Sequence, residues 1–549
     1  MSYRLNRLAL IVACAALAAC SKSGGGAAPG AGGRVNSWTI PHVLRFSTAE
    51  DISTLNPHLS QQGTLSYMSS MTMAWLIKFD EKNLPYGELA TEVPTKENGG
   101  VSADGLTITY HLRKNVKWSD GAPFNADDVV FSIKTVQNPA NNEVSRSGWD
   151  LIDKIDEPDK YTVRLHLRKP YSPFVVTFFS SAGANPCVLP KHILGKLATI
   201  NNAPYNALPV GIGPFKYTKW LRSQKVVMVA NADYFRGLPK LHEVDYEIIP
   251  NRDTVQTQLE AHGLDMWYRV PGLYFTRLEH LPGFATIRQP GFGFNHLDFN
   301  TSHAAVSDPA VRQALEYATD RVTMRAKIGH GFGILQEEPA PPVASYFDPA
   351  LAKIKPFDLA KANQLLDGAG WKRGADGIRA KNGLKLSLDF ATNTGSQDTD
   401  NLIELLRTWW KQAGVAIDVH HYNSALLFAP LSQGGILYAG KFDVLYINWG
   451  LDPLGDFSNL YACDQIPPNG QNDLHWCNRR ASAAMRDFYA QYSIDGRTKD
   501  DAIVMEELQR DTPTIVTSLP EDTFVYNKDL KNFHPGSALP FDNMMNVDI

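Results

Sequence analysis

The chain has 549 residues, of which 44% are hydrophobic and 10% aromatic, and its formal net charge is −4. This length exceeds what one hydrophobic core usually supports, so we expect two or more domains. The mild negative charge gives no support for nucleic-acid binding, which requires an excess of basic residues.

The N-terminal segment indicates export followed by attachment to a membrane. An apolar run over residues 8–19 has the length of a signal-peptide core and is too short to cross a bilayer. The small residues that end at Cys20 resemble the lipobox of bacterial lipoproteins. We predict a lipoprotein signal peptide over 1–19, lipid attachment at Cys20 and a flexible tether over 20–37. An ordinary secretory signal with an incidental Cys is the less favoured alternative.

The rest of the chain interleaves strand and helix patterns. Residues 106–112 alternate apolar and polar side chains, and Asn125 then stands as the N-cap of a helix. A later helix begins at Pro309, and another ends at Gly414. Further strands are predicted at 161–167, 226–235, 415–422 and 441–450, and further helices at 308–328 and 402–414. Residues 500–527 are predicted to form a helix followed by a final strand pair. This alternation predicts an α/β chain.

Three cysteines remain after the signal peptide and Cys20. Cys463 and Cys477 are separated by 14 residues and could close a disulfide in an oxidising compartment. A metal site that adds His475 and Asp464 is the alternative. The spacing matches no standard zinc pattern, so the disulfide is favoured. Cys187 is then left over, and we expect it to be buried.

Motifs for catalysis and cofactor binding are missing from the sequence. It contains no G-x-S-x-G, S-x-x-K, H-E-x-x-H or P-loop pattern. The adjacent His420 and His421 lie on an alternating strand and point to opposite faces, which argues against a shared metal. We therefore expect no catalytic set, no metal and no cofactor.

Two carboxylates follow one of the predicted strands closely. In the segment LYINWGLDPLGDF, residues 445–457, Asp452 and Asp456 flank a Pro and a Gly, and Trp449 precedes them. The residue types fit a catalytic acid/base pair, a metal site, an amine-binding site or a polar turn. The residues by themselves leave these readings open.

Six segments resemble one known family in their order and spacing. They are similar to the extracytoplasmic solute-binding proteins of family 5, the peptide- and nickel-binding subunits of ABC importers, and 116–133 is the most diagnostic stretch. The resemblance implies a two-lobed periplasmic-binding-protein fold of type II, in the large peptide-binding class, with an additional inserted domain. The ligand would lie between the lobes. The six segments are 55–59, 106–133, 210–217, 231–237, 308–321 and 442–453.

The resemblance also implies domain boundaries. Lobe I would combine residues 38–74, 199–288 and 522–549. The inserted domain would cover 75–198, and lobe II would cover 289–521.

Ligand-binding residues follow from the same resemblance. Peptide-binding members end a lobe II strand with Trp-x-x-Asp, and the Asp carboxylate pairs with the peptide α-amino group. Here this pattern is Trp449, Gly450, Leu451 and Asp452, and Asp456 would serve local structure only. Further cleft residues implied by the resemblance are Tyr422, Gln61, Gln62 and Gly63.

The sequence thus predicts a lipid-anchored, monomeric receptor of the periplasm or cell envelope that delivers peptides to an ABC permease. Tyr446 replaces a basic residue found in some oligopeptide binders, which leaves recognition of the peptide carboxylate open. The first alternative is a receptor of the same fold for a nickel chelate, opine, haem or oligosaccharide. A hydrolase that uses Asp452 and Asp456 is the less favoured alternative.

Overall fold

The computed structural model describes most of the chain. Cys20, Gln61 and Asp452 lie outside the described residues, as do the predicted signal peptide 1–19 and nearly all of the tether 20–37. No helix in the described part is long and apolar enough to pass through a bilayer. The described residues are 36–60, 62–143, 146, 148–182, 186–394, 396–428, 434–451, 453–467 and 469–549.

Twenty strands are present in these ranges. In chain order they are β1 (Val43–Ser47), β2 (Ile77–Phe79), β3 (Pro85–Gly87), β4 (Thr107–His111), β5 (Ile152–Asp159), β6 (Thr162–Leu167), β7 (Phe215–Leu221), β8 (Lys225–Ala230), β9 (Glu243–Glu247), β10 (Met266–Tyr268), β11 (Phe284–Pro290), β12 (Gly293–Phe299), β13 (Lys372–Arg373), β14 (Arg379–Lys381), β15 (Leu384–Lys385), β16 (Ser387–Asn393), β17 (Ala416–Tyr422), β18 (Val444–Gly450), β19 (Thr514–Ser518) and β20 (Glu521–Asn527).

Fourteen α-helices alternate with these strands in the described part. They are α1 (Gly63–Thr72), α2 (Ala126–Gln137), α3 (Phe174–Thr177), α4 (Lys191–Leu194), α5 (Arg252–Glu260), α6 (Gly272–Leu278), α7 (Pro309–Tyr317), α8 (Arg321–Lys327), α9 (Leu359–Gly368), α10 (Gln397–Ala413), α11 (Ser424–Leu427), α12 (Ser458–Tyr461), α13 (Arg479–Phe488) and α14 (Ile494–Asp511). The predicted α/β class is confirmed.

A seven-stranded sheet gathers strands from distant parts of the chain. Its order is β11-β20-β10-β1-β9-β8-β7. β1 lies parallel to both β9 and β10, while β20 runs antiparallel between β10 and β11. Fully buried side chains such as Phe46, Tyr246 and Met266 form the core beneath this sheet.

A five-stranded sheet forms a second unit, in the order β17-β16-β18-β12-β19. β16 runs parallel to β17 and β18, whereas β12 is antiparallel to β18 and β19. The amphipathic helix α10 buries Leu406 and Trp410 against this sheet, and Gly414 then ends the helix at φ 87°. The predicted glycine C-cap is confirmed, because this left-handed conformation costs glycine little.

The chain crosses between the two sheets twice. One crossover joins β11 to β12, the other joins β19 to β20, and the N–H of Gly291 donates to the carbonyl of Pro520 between them at 3.0 Å. Because β11 ends and β12 begins here, the pairings place the ends of β1 and β10 at the edge of one sheet beside the crossovers, and the ends of β16, β17 and β18 at the corresponding edge of the other sheet. We call the space between these edges the inter-sheet cleft.

A smaller three-stranded antiparallel sheet, β4-β6-β5, packs with α2. Asn125 caps α2 by accepting a hydrogen bond from the N–H of Asp127 at 2.8 Å, and the Asp128 carboxylate accepts from the N–H of Asn125 at 3.1 Å. The predicted cap is therefore confirmed as a capping box.

The structure also corrects parts of the sequence interpretation. The helix predicted at 308–328 is two helices, because Asp320 accepts a hydrogen bond from the N–H of Thr323 at 3.0 Å and starts α8. The strand predicted at 226–235 ends at Ala230, where Asn231 begins a turn. The small sheet β13-β14-β15 was not predicted, since two- and three-residue strands carry almost no alternation.

Candidate functional site

The end of β18 forms the centre of one cleft edge. Trp449 pairs with Phe294 and Gly450 with Gly293, so both residues are held by the sheet. The Trp449 ring is half-buried and lies edge-on to Phe428, with 6.3 Å between the ring centroids. Gly450 is exposed, and a Cβ at this position would meet no atom within 4 Å. The last residue of β18 is therefore exposed, with open space beside its Cα.

Leu451 continues the chain beyond the strand. Its N–H donates to the carbonyl of Phe292 at 3.3 Å, which holds it beside the first crossover. Asp452 follows directly and lies outside the described residues. The Asp456 carboxylate is bonded within its own segment, because its Oδ1 accepts a hydrogen bond from the N–H of Ser458 at 2.9 Å. Burial raises the pKa of Asp456, and the carboxyl acts at the start of α12.

Tyr422 stands at the same cleft edge, two strands away from Gly450. It is the last residue of β17, it is half-buried, and its carbonyl accepts a hydrogen bond from the N–H of Thr394 at 2.9 Å. Tyr422, Phe428 and Trp449 pack against one small apolar cluster that includes Leu445 and Ile447. The structure therefore brings Tyr422 and Trp449 together on one wall.

Gln62 and Gly63 belong to the opposite unit, at the start of α1. The Gln62 amide is committed to its own loop: Oε1 accepts from the N–H of Ser53 at 3.1 Å, and Nε2 donates to the Asp51 carbonyl at 3.0 Å. A Cβ on Gly63 would lie 3.1 Å from the Tyr67 hydroxyl and 3.4 Å from Nη1 of Arg269. Gly63 thus leaves room for two polar side chains, whereas Gln61 is not described.

Arg269 and Asp522 were missed by sequence reasoning. Arg269 follows β10 and Asp522 is the second residue of β20, so both stand on the edge of the seven-stranded sheet that faces the cleft. Burial raises the pKa of Asp522 to about 6, although Arg269 and Tyr268 act to lower it. The sequence contains one weak indication of this site: Arg269 is a charged residue that directly follows the hydrophobic strand β10.

The disulfide region lies beyond this wall. Cys463 and Cys477 are joined in the structure, with their Cα atoms 4.5 Å apart, and Cys187 is a buried free thiol. His475 is therefore not needed as a metal ligand with these cysteines.

The two adjacent histidines have separate partners. His421 Nε2 lies 2.9 Å from Asp400, while His420 Nε2 lies 3.8 Å from both Asp389 and Asp418 on an exposed surface. The ligand atoms of His420 and these two aspartates lie within 4.8 Å of one another. Exposed acidic groups of this kind are common without an ion.

Comparison with known proteins decides the family. A sequence model described as bacterial extracellular solute-binding proteins, family 5 (middle), matches residues 85–469. The chain belongs to this family. Family 5 consists of extracytoplasmic solute-binding proteins, and the sequence-based recognition of the family is confirmed.

Two relatives within family 5 illustrate its range. The oligopeptide-binding protein AppA of Bacillus subtilis is 26% identical over 476 residues, covering 85% of this chain and 84% of its own. The heme-binding protein A of Haemophilus influenzae is 26% identical over 461 residues, covering 79% and 80% respectively.

A solved structure supports the fold. The structure of Bacillus subtilis AppA in complex with a nonapeptide superposes with a TM-score of 0.75 at 23% identity, covering 92% of this chain and 98% of that one. The predicted type II periplasmic-binding-protein fold of the peptide-binding class is confirmed.

Proposed function

We propose that the chain is the substrate-binding subunit of an ABC importer, which captures peptides and delivers them to a membrane permease. The observation that carries this proposal is the similarity to an oligopeptide-binding protein over 85% of the chain. A binding role needs no catalytic set, and we propose that the protein is a monomeric receptor and not an enzyme.

The two sheets correspond to two lobes in this proposal. Lobe I would be 38–74, 199–288 and 522–549, the inserted domain 75–198, and lobe II 289–521. The seven-stranded sheet draws its strands from the first three ranges to within two residues, which supports the division. The crossovers beside Gly291 and Pro520 would be the hinge, since a few connecting residues can absorb closure of the lobes.

Asp452 is our candidate partner for the peptide α-amino group. An ammonium taken out of water requires an opposite charge, and a carboxylate at the end of β18 supplies one. The accessible backbone at Gly450 and Leu451 suits recognition of an extended peptide by main-chain hydrogen bonds, which tolerate many side chains. Trp449, Tyr422 and the segment from Gln61 through Gln62 to Gly63 would line the ligand space around it.

We further propose that the protein is anchored to a membrane by a lipid on Cys20. Residues 1–19 would be removed, and residues 20–37 would tether the receptor near its permease. Mass spectrometry of the mature N-terminus tests this directly. Cys20→Ala should release the protein into the soluble fraction, and an unmodified N-terminus in a membrane-bound form would contradict the anchor.

Peptide binding is tested with protein that lacks only residues 1–20. Native mass spectrometry should detect co-purified peptides, and di- to pentapeptides should raise the melting temperature. A ligand at a hundred times its Kd stabilises by about 2.7 kcal/mol. Asp452→Ala should abolish the shift for free peptides, while Asp456→Asn, the matched control, should retain it. Equal binding of N-acetylated peptides would contradict the ammonium assignment.

A non-peptide ligand is the second candidate, favoured by the similarity to a heme-binding protein over 79% of the chain. Haem, nickel chelates, opines and oligosaccharides belong in the same melting screen. A shift with one of these compounds, and none with any peptide, would replace the peptide assignment. A hydrolase that uses Asp452 and Asp456 has little support, because Asp456 is bonded to the N–H of Ser458.

A further inference from the structure

Arg269 occupies an unusual place in the backbone. It follows the last residue of β10 and has a φ of 58°, in the left-handed region that residues with a Cβ rarely adopt. Its N–H donates to the carbonyl of Thr523 at 2.8 Å, so the neighbouring strand β20 holds this conformation in place. Backbone strain of this kind is concentrated at functional sites, where the surrounding fold maintains it.

The Arg269 side chain lacks the pairing that other arginines of this protein have. Arg45 pairs with Asp265 at 2.8 Å, and Arg288 pairs with Glu521 at 2.7 Å. Among the described residues, no carboxylate lies within 4.0 Å of the Arg269 guanidinium. Arg269 is exposed and lies on the cleft edge. Its hydrogen-bond donors therefore remain available.

The surroundings of Arg269 are shaped around the guanidinium. Tyr67 and Tyr268 stand edge to face with their ring centroids 4.8 Å apart, and Gly63 leaves the space that Nη1 requires. Asp522 lies on the adjacent strand and is directed towards the hinge, where its Cγ would be 3.6 Å from a Cβ on Gly291. The Asp522 carboxyl is close enough for its charge to interact with that of Arg269, but it forms no ion pair with the guanidinium.

Contacts between the two units place Arg269 close to the far wall. Three residues later, a Cβ on Gly272 would lie 2.9 Å from the ring of Phe332, which belongs to the segment after α8. Phe332 also packs on Phe275, with 5.2 Å between the ring centroids. The edge that carries Arg269 therefore approaches the five-stranded unit at the hinge side of the cleft.

We propose that Arg269 binds a carboxylate of the ligand from lobe I. The planar guanidinium donates in a fork that matches a carboxylate, which gives both charge and direction. This inference rests on the proposed peptide-binding function: a peptide held at its α-amino group by lobe II would be held at a carboxylate by lobe I. Both lobes then contact the ligand, and the ligand favours closure.

The carboxylate could come from the peptide C-terminus or from an acidic side chain, and matched peptides separate these sources. The set comprises trialanine, trialanine amide, and Ala-Ala-Glu amide, all with a free α-amino group. The proteins are wild type, Arg269→Gln and Arg269→Lys, each lacking only residues 1–20. Arg277→Gln is the matched control, because Arg277 is an exposed arginine at the end of α6. Calorimetry gives each Kd.

Wild type should bind trialanine about 10- to 100-fold more tightly than its amide if the C-terminus is the partner, the usual range for a charge-assisted interaction. Tighter binding of Ala-Ala-Glu amide than of trialanine amide would instead assign a side-chain carboxylate. Arg269→Gln should remove the difference and still bind the amide as wild type does, which shows that the variant is folded. Arg269→Lys should restore part of it, and Arg277→Gln should behave as wild type.

Two outcomes overturn the inference in distinguishable ways. If wild type binds all three peptides with equal affinity, the Arg269 assignment is wrong while the peptide function stands. The assignment also fails if Arg269→Gln keeps the preference for a carboxylate. If wild type binds no free peptide of the set or of the di- to pentapeptide screen, the proposed function fails, and the peptide-carboxylate role fails with it.

Discussion

Ser172 and Phe488 are joined by a hydrogen bond although 316 positions separate them in the sequence. The Ser172 hydroxyl donates to the Phe488 carbonyl at 2.8 Å, and the N–H of Ser172 donates to the Tyr489 carbonyl, also at 2.8 Å. Ser172 follows β6, whereas Phe488 ends α13, and the Phe488 ring is buried in the core beside β4 and β6. This contact joins the small three-stranded unit to the five-stranded unit across from the crossovers.

Ser172→Ala should therefore weaken ligand binding. Opening about the crossovers would separate these residues, so the contact favours the closed form. Its loss removes one of two hydrogen bonds to the Phe488 carbonyl, which still accepts from the N–H of Gln491 at 3.0 Å, at a cost of about 0.5–1.5 kcal/mol. We expect a rise in Kd of roughly two- to tenfold and a larger radius of gyration in X-ray scattering. Ser307→Ala, which removes an exposed hydroxyl, is the control. Unchanged affinity would mean that the contact persists in the open form.

The buried pair of His58 and Glu143 should make stability depend on pH. Both side chains are fully buried, and His58 Nδ1 lies 2.9 Å from Glu143. Burial alone would lower the pKa of His58, but the Glu143 carboxylate and the Cys187 side chain raise it well above its ordinary value. A raised folded pKa stabilises the protein fully below pH ~6.5, and this contribution falls by about 1.4 kcal/mol per pH unit until the folded pKa is reached.

Glu143→Gln provides the measurement for this pair. Removing one charge of a buried pair should destabilise by about 3 kcal/mol at pH 6, and by less at pH 9. Urea unfolding at both pH values measures the difference, with the exposed Glu97→Gln as control. A loss that grows with pH would contradict the protonation assigned to His58.

Asp522→Asn should stabilise the free protein at neutral pH. The folded pKa of about 6 lies above the ordinary value of 3.8, so the ionised form is disfavoured by folding. The ionised carboxyl therefore costs stability that is absent at low pH and grows as pH rises from about 4 to about 6. We expect a gain of about 1–3 kcal/mol at pH 7.5 and almost none at pH 4. Melting curves at the two pH values test this, and equal gains would refute the pH linkage.

Reduction of the Cys463–Cys477 disulfide should lower the melting temperature. Closing a loop of 14 residues stabilises by about 3 kcal/mol in the chain-entropy model, or roughly 5 °C. A double Cys463→Ser, Cys477→Ser variant should have the same melting temperature as reduced wild type, and reductant should not change it. A wild type that also ignores reductant would show that the bond does not form in the isolated protein.

Local signals in the sequence predicted local structure well. Asn125 caps α2, Pro309 begins α7 and Gly414 ends α10, because each depends on the conformational preference of a single residue and its immediate neighbours. The family segments then predicted the fold, since their order and spacing extend over most of the chain.

Arg269 could not be predicted in the same way. It becomes a cleft residue only because β20, from the end of the chain, lies against β10 and its Thr523 carbonyl accepts the N–H of Arg269. Nothing within several residues of Arg269 encodes that pairing. Single positions at strand ends gain their role from partners that are distant in sequence, whereas helix caps gain theirs locally.

The place of β20 inside the seven-stranded sheet has a consequence for biogenesis. This strand fills the gap between β10 and β11, yet it is the last strand of the chain to emerge from synthesis or from an export channel. The seven-stranded sheet therefore cannot be completed until nearly the whole polypeptide has been synthesised or exported. Until then, the edges of β10 and β11 that pair with β20 stay unpaired. A chain that lacked about the last 30 residues would have no β20. Its exposed strand edges would make it a target for proteolysis and aggregation.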